Sequence, residues 1–205
     1  MLKTALAALF LLALAASAWS APANAPLAEL RHSFTLGGKP IPPEVFADFG
    51  DADMADSTSI RVTIDLLAAM GSNLYADDIK GAPGGWVTQM KMTAGPEKLT
   101  EVNGYEFDGV TQNGLLVVTA SYSGGGSGDF FTLHFLDAAM ARAFDSDGKL
   151  YERLNLTIIR SIPLGDRWDG AVRIAGDRVS IVTRPRQPNT SNRQPGTQVV
   201  EAVRP

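Results

Sequence analysis

The sequence predicts a mainly β domain, an antiparallel two-sheet sandwich or jelly roll with one or two short helices. Three observations carry that prediction. Apolar residues alternate with period two in several short runs, Asn-Gly or Gly-Asp pairs fall between those runs, and no long 3.6-residue pattern competes with them. No repeat of fixed period is visible, which argues against a propeller or solenoid.

The chain is expected to begin with a leader rather than with the domain. Lys3 precedes an apolar run from Ala5 to Ala16, shorter than the roughly 20 residues a bilayer-spanning helix needs. Small residues at Ala16 and Ala18, and again at Ala21 and Ala23, fit cleavage after Ala18 or Ala23. Residues 1–23 are therefore expected to be a signal peptide and the protein to be exported, periplasmic or extracellular. An Ala/Leu-rich leader and a chain with no cysteine suit a bacterial protein stabilised by its core rather than by disulfides. No second apolar stretch is long enough to anchor the mature chain in a membrane.

Residues 24–183 are the expected single globular domain. Ser59–Leu67 alternates Ile60, Val62, Ile64 and Leu66 against Arg61, Thr63 and Asp65, and Trp86–Met92 repeats the pattern with Trp86, Met90 and Met92 on one side. Leu115–Tyr122 (LLVVTASY) is apolar on both faces at first, as a doubly covered central strand would be. Phe130–Leu136 turns Phe131, Leu133 and Phe135 inward and Thr132 and His134 outward. Leu150–Ile158 aligns Leu150, Leu154, Leu156 and Ile158, and Val172–Ala175 and Val179–Thr183 complete the strands. Asn103-Gly104, Asn113-Gly114, Asp147-Gly148 and Gly176-Asp177 are the expected turns. Leu66–Leu74 and Asp137–Phe144 read as short helices, the second with Asp137 as N-cap. The last segment, 184–205, holds four prolines, four arginines and little periodic apolar content, and is expected to be a disordered tail.

Charge narrows the partners. Losing Lys3 with the leader moves the net charge from −4 to −5, and setting aside the tail's four Arg and one Glu moves it to −8. That balance argues against nucleic acid as a partner, because phosphate binding needs a basic patch or stripe.

Four features are candidates for chemistry. The acidic run holding Asp48, Asp51, Asp53 and Asp56 offers the clustered carboxylate oxygens that Ca²⁺ takes, with Asp77 and Asp78 as further donors; the competing reading is a solvated loop. Asp145-Ser146-Asp147-Gly148 lacks the later glutamate and flanking helices of an EF-hand and reads as a hairpin turn. The glycine-rich Ser123–Gly128 lacks the Lys of a P-loop and reads as a connector. His134 has Asp129 and Asp137 near it in sequence, and with His32 as the one other histidine a His/Cys zinc site is not expected. Trp86 and Trp168, the latter flanked by Arg167 and Asp169, stand at strand or loop edges. There an aromatic face stacks on a sugar or apolar ligand while neighbouring polar groups hydrogen-bond it, unless the rings merely close the core.

The function this points to is an exported non-catalytic binding module of a bacterial envelope or medium, with a glycan or other envelope component as ligand. The architecture is similar to lectin-type folds, a likeness that carries no function by itself. Two other classes stay open: a secreted hydrolase drawing on Asp48, Asp51, Asp53, Asp56 and His134, and a structural or assembly protein of the envelope.

Overall fold

The computed structural model describes residues 24–47, 62–72, 78–81, 84–92, 100–184 and 196–204. It is mostly strand, with two short helices and curved antiparallel sheets in a sandwich-like arrangement. The expected leader, the acids Asp48, Asp51, Asp53 and Asp56, and Asp77 lie outside the described residues.

The chain enters through helix α1 (Ala25–Ser33), which has Pro26 in its first turn, where a missing N–H costs nothing. It then makes a small hairpin of β1 (Thr35–Leu36) and β2 (Lys39–Pro40). Gly37 and Gly38 both have positive φ, 58° and 74°, as a tight primed turn demands. The Glu29 carboxylate accepts from both their amides, at 2.9 and 2.7 Å, and from Thr35 Oγ1 at 2.9 Å, and the Gly38 amide leads in holding its pKa down. A 3₁₀ turn, Pro43–Phe46, follows.

The main sheet has seven antiparallel strands in the order β3-β9-β8-β7-β6-β5-β4. In chain order they are β3 (Thr63–Asp65), β4 (Ile79–Lys80), β5 (Val87–Met92), β6 (Thr100–Val110), β7 (Leu116–Ser123), β8 (Phe130–Phe144) and β9 (Leu150–Asp166). Helix α2 (Leu66–Ser72) follows β3 directly, and Asp65 Oδ1 accepts from the Leu67 amide at 3.1 Å. The alternation at Ser59–Leu67 is thus strand over Thr63–Asp65 and passes into helix at Leu66. A second sheet of β10 (Gly170–Ala175), β11 (Arg178–Thr183) and β12 (Gly196–Glu201) lies against the other face.

Burial on both faces explains the apolar β7. Leu116 and Val118 join a core with Leu30, Phe34, Ile41, Phe46, Tyr105, Leu136 and Leu154, under α1 and the 3₁₀ turn. Leu115 and Val117 join a second core with Leu133, Phe135, Val179, Ile181 and Val200, beneath the small sheet. Period two sends neighbouring residues to opposite layers.

Three expectations are corrected. Asp137–Phe144 is not a helix but the outer half of β8, paired residue for residue with β9 from Asp137↔Thr157 to Phe144↔Leu150. Its alanines favour helix intrinsically, but fifteen residues on β8 facing seventeen on β9 supply a cross-strand partner that overrides the preference. The tail is not wholly disordered, because β12 pairs with β11 over six positions and sinks Val200 into the second core. Asn103-Gly104 is no turn: both lie inside β6, opposite Gln89 and Thr88. Asn113-Gly114, Asp147-Gly148 and Gly176-Asp177 do fall between paired strands. Among the described residues no helix is long and apolar enough to cross a membrane.

Candidate functional site

The small sheet leaves part of the second face open at its β5 side. Trp86, just before β5, and Met90, on it, are each 39 % exposed. A Cβ built on Gly104 would come within 2.9 Å of Ser121 Oγ and 3.3 Å of Thr88 Cγ2, so Thr88, Gly104 and Ser121 form one row across β5, β6 and β7. Phe131 on β8 continues the row opposite Ser121.

Aromatic rings close over this row. β5 and β8 are three strand spacings apart, about 14 Å at 4.8 Å each, yet the Trp86 and Phe131 ring centroids are 5.8 Å apart, edge to face. The two side chains therefore lean toward each other across Gly104 and Ser121, whose absent and short side chains leave the room. Phe131 in turn meets Trp168 at 6.2 Å. The three rings form one continuous aromatic strip.

Trp168 is seated by Gly170, where a Cβ would lie 2.2 Å from the indole Cζ2 and 2.2 Å from the Val182 carbonyl oxygen. The indole Nε1 donates to Thr183 Oγ1 at 3.3 Å. Beside it opens a cleft of about 290 Å³ with Pro163, Leu164 and Ile181 as apolar wall and Thr183 and Gln198 as polar groups. A few placed polar groups on an apolar wall is the usual make-up of a ligand pocket.

The residues flanking Trp168 bind their own chain. Arg167, at a left-handed φ of 47°, donates to the Ser127 carbonyl and lies 3.8 Å from Asp166. Asp169 pairs with Arg184 at 3.4 Å. Both stay at the surface, where a ligand can compete for them. Nearby, burial and then the Asp166 charge push the Asp129 carboxyl up.

One carboxyl on the second face, further along β6 from Gly104, went unread in the sequence. A β-bulge between Phe107 and Gly109 makes Asp108 the extra residue of β6, and bulges re-aim side chains. Thr119 Oγ1 donates to Asp108 Oδ2 at 2.8 Å. Burial pushes the Asp108 pKa up to about 7, with the Glu106 charge adding to it and the Thr119 bond opposing it.

His134 does not face solvent. It is 3 % exposed, stacks on Phe46 with centroids 5.6 Å apart, and places Nδ1 2.9 Å from Ser161 Oγ. Burial lowers its pKa to about 4. It belongs to the first face, away from Trp86 and Trp168, and Asp129 and Asp137 do not pair with it: Asp137 pairs with Arg204. His32 is exposed in the last turn of α1. The structure thus joins the two tryptophans named from sequence through Phe131 and separates His134 from both.

Compared with known proteins, the chain matches no family model, no curated protein and no solved structure.

Proposed function

We propose that the protein is an exported, non-catalytic binding module of a bacterial envelope or medium, and that its ligand is a glycan held on the Trp86–Phe131–Trp168 strip. The observation that supports this reading is the strip itself, laid over a sheet face that is partly open. Flat aromatic faces bind the apolar face of a sugar ring, while Thr88, Ser121 and the surface groups of Arg167 and Asp169 are hydrogen-bonding neighbours for hydroxyls. Export rests on the sequence of residues 1–23.

A glycan array followed by titration of the best ligand tests the proposal. Trp86→Ala and Trp168→Ala should each weaken binding about tenfold, the equivalent of one aromatic contact. Retained affinity in both variants, or no glycan bound at millimolar concentration, would overturn it.

A specific observation also favours the hydrolase reading, on residues other than those first named for it. Asp108 holds its proton up to about pH 7 beside Glu106, the state a general acid needs. Turnover of a bound glycan that disappears in Asp108→Asn would establish that reading.

A further inference from the structure

The cleft beside Trp168 is the open mouth of the second core. Its floor is Pro163 and Leu164 on β9, and its roof comes from β11 and β12, where Ile181 pairs with Gln198 and Thr183 with Gly196. Paired residues point to one face of a sheet, so Gln198 faces the same side as Ile181, which lies in the second core together with Leu164. The two sheets therefore part at this end: Leu164 and Ile181 are buried, while Gly196 and Gln198 are exposed. Gly196 keeps the mouth open, since a Cβ built there meets no atom of the described residues within 4 Å.

The lining of the mouth chooses among substituents a ligand could place in it. The described residues that form it include no ionisable side chain. A carboxylate, phosphate or ammonium entering it would lose water with no counter-charge to meet it. Pro163, Leu164 and Ile181 make one wall apolar, which favours a bound methyl. The polar groups offer hydrogen bonds of both senses. The Trp168 indole N–H donates to Thr183 Oγ1 at 3.3 Å, so the Thr183 hydroxyl accepts there and keeps its own proton to give. Gln198 brings an amide whose oxygen accepts and whose nitrogen donates.

A neutral group with a methyl, a carbonyl oxygen and an N–H is an acetamide. Size agrees with a single unit: the cleft's volume of about 290 Å³ is at the low end of ligand pockets, about 300–1,000 Å³. Trp168 belongs both to the cleft and to the aromatic strip, so a ring stacked on its indole has the mouth beside it.

We infer that the glycan of the strip is one built with N-acetylated amino sugars, and that the cleft reads the acetamido group. The methyl rests on Leu164 and Ile181, the carbonyl oxygen accepts from Thr183, and the N–H donates to Gln198. The inference rests on the glycan reading of the strip and narrows it to one substituent.

Chitotriose, its de-N-acetylated counterpart and cellotriose test it, because they share a backbone and differ in one substituent per ring: acetamido, ammonium or hydroxyl. Calorimetric titration of the chain in about 0.15 M salt, where exposed charges are screened beyond about 8 Å, should give chitotriose at least about tenfold the affinity of either of the others, the equivalent of one buried methyl and one hydrogen bond. Gln198→Leu, at an exposed position of the edge strand β12, removes the amide. Gly196→Val fills the mouth at a backbone position whose φ is not left-handed. Each should bring chitotriose down to the affinity of cellotriose and leave cellotriose unchanged, which shows the strip intact. Equal affinity of the wild-type chain for chitotriose and cellotriose, or a preference that survives in both variants, would overturn the assignment of the cleft and leave the strip reading standing. Binding confined to glycans without an acetamido group would do the same. No glycan bound at all would overturn both.

Discussion

The two faces of the main sheet use aromatic residues to opposite ends. On the first face Phe34 meets Phe46, Tyr105 and Phe107 at centroid distances of 6.2, 5.2 and 5.3 Å, all beneath α1 and the 3₁₀ turn. On the second face Trp86, Phe131 and Trp168 are as close to one another, but the small sheet leaves the β5 side uncovered. What separates a core from a site here is the cover and not the residues. The strip keeps an exposed edge at Trp86 and Met90, while Phe34 at the centre of the first face is buried.

The largest difference should appear in stability. Phe34 is 1 % exposed and central to the closed face, so Phe34→Ala should cost about 3–5 kcal/mol. Chemical denaturation measures this. A loss for Phe34→Ala no greater than for Trp86→Ala would show that the two faces are not distinguished by burial.

The next effect pairs one titrating group from each face. His134 on the closed face has its pKa lowered to about 4. The unfolded chain therefore takes up a proton first, and stability is lost as pH falls from about 6.5 through 4, by up to about 3 kcal/mol. Asp108, on the second face, has its pKa raised to about 7, so its contribution is present below pH 3.8 and lost as pH rises through 7. The two slopes oppose each other between pH 4 and 6.5. Wild-type stability should thus vary less across that window than in either variant. His134→Leu should leave a chain that weakens as pH rises, and Asp108→Asn one that weakens as pH falls. Parallel slopes in the two variants would mean that one of the groups is not perturbed as described.

The sequence exposed the fold where alternation was uninterrupted. β5, β7, β9, β10 and β11 were readable, and so was the double burial of Leu115–Val118. β6 was not, because Gly104 and Gly109 punctuate it like turns. In the structure the first keeps space beside Ser121 and Thr88, and the second lies 3.2 Å, measured from a built Cβ, from Ile174 Cδ1. Asp137–Phe144 and β12 were missed for a shared reason: each becomes strand only through a partner distant in sequence. His134 was placed outward because a strand pattern cannot report that both faces are covered. The site was half legible. Trp86 and Trp168 stood out by composition, but Phe131 looked like ordinary core and Asp108 depends on a bulge that leaves no sequence signature.

The smallest of these effects tests how the open face keeps its shape. Gly170 has no side chain because both the Trp168 indole and the Val182 carbonyl occupy the place of its Cβ, each at 2.2 Å. Of the two, the carbonyl belongs to β11, which is paired with β10, so the indole is the group freer to move. Gly170→Ala should therefore cost about 1–3 kcal/mol and push Trp168 outward, breaking its contact with Phe131. In a chain that starts at Asn24, and so lacks Trp19, and that carries Trp86→Phe, emission reports Trp168, and a red shift with weakened glycan binding is the expected result. An unshifted spectrum with the same loss of stability would mean that β10 gives way instead. The strip would then be held by Phe131 rather than by the glycine beneath it.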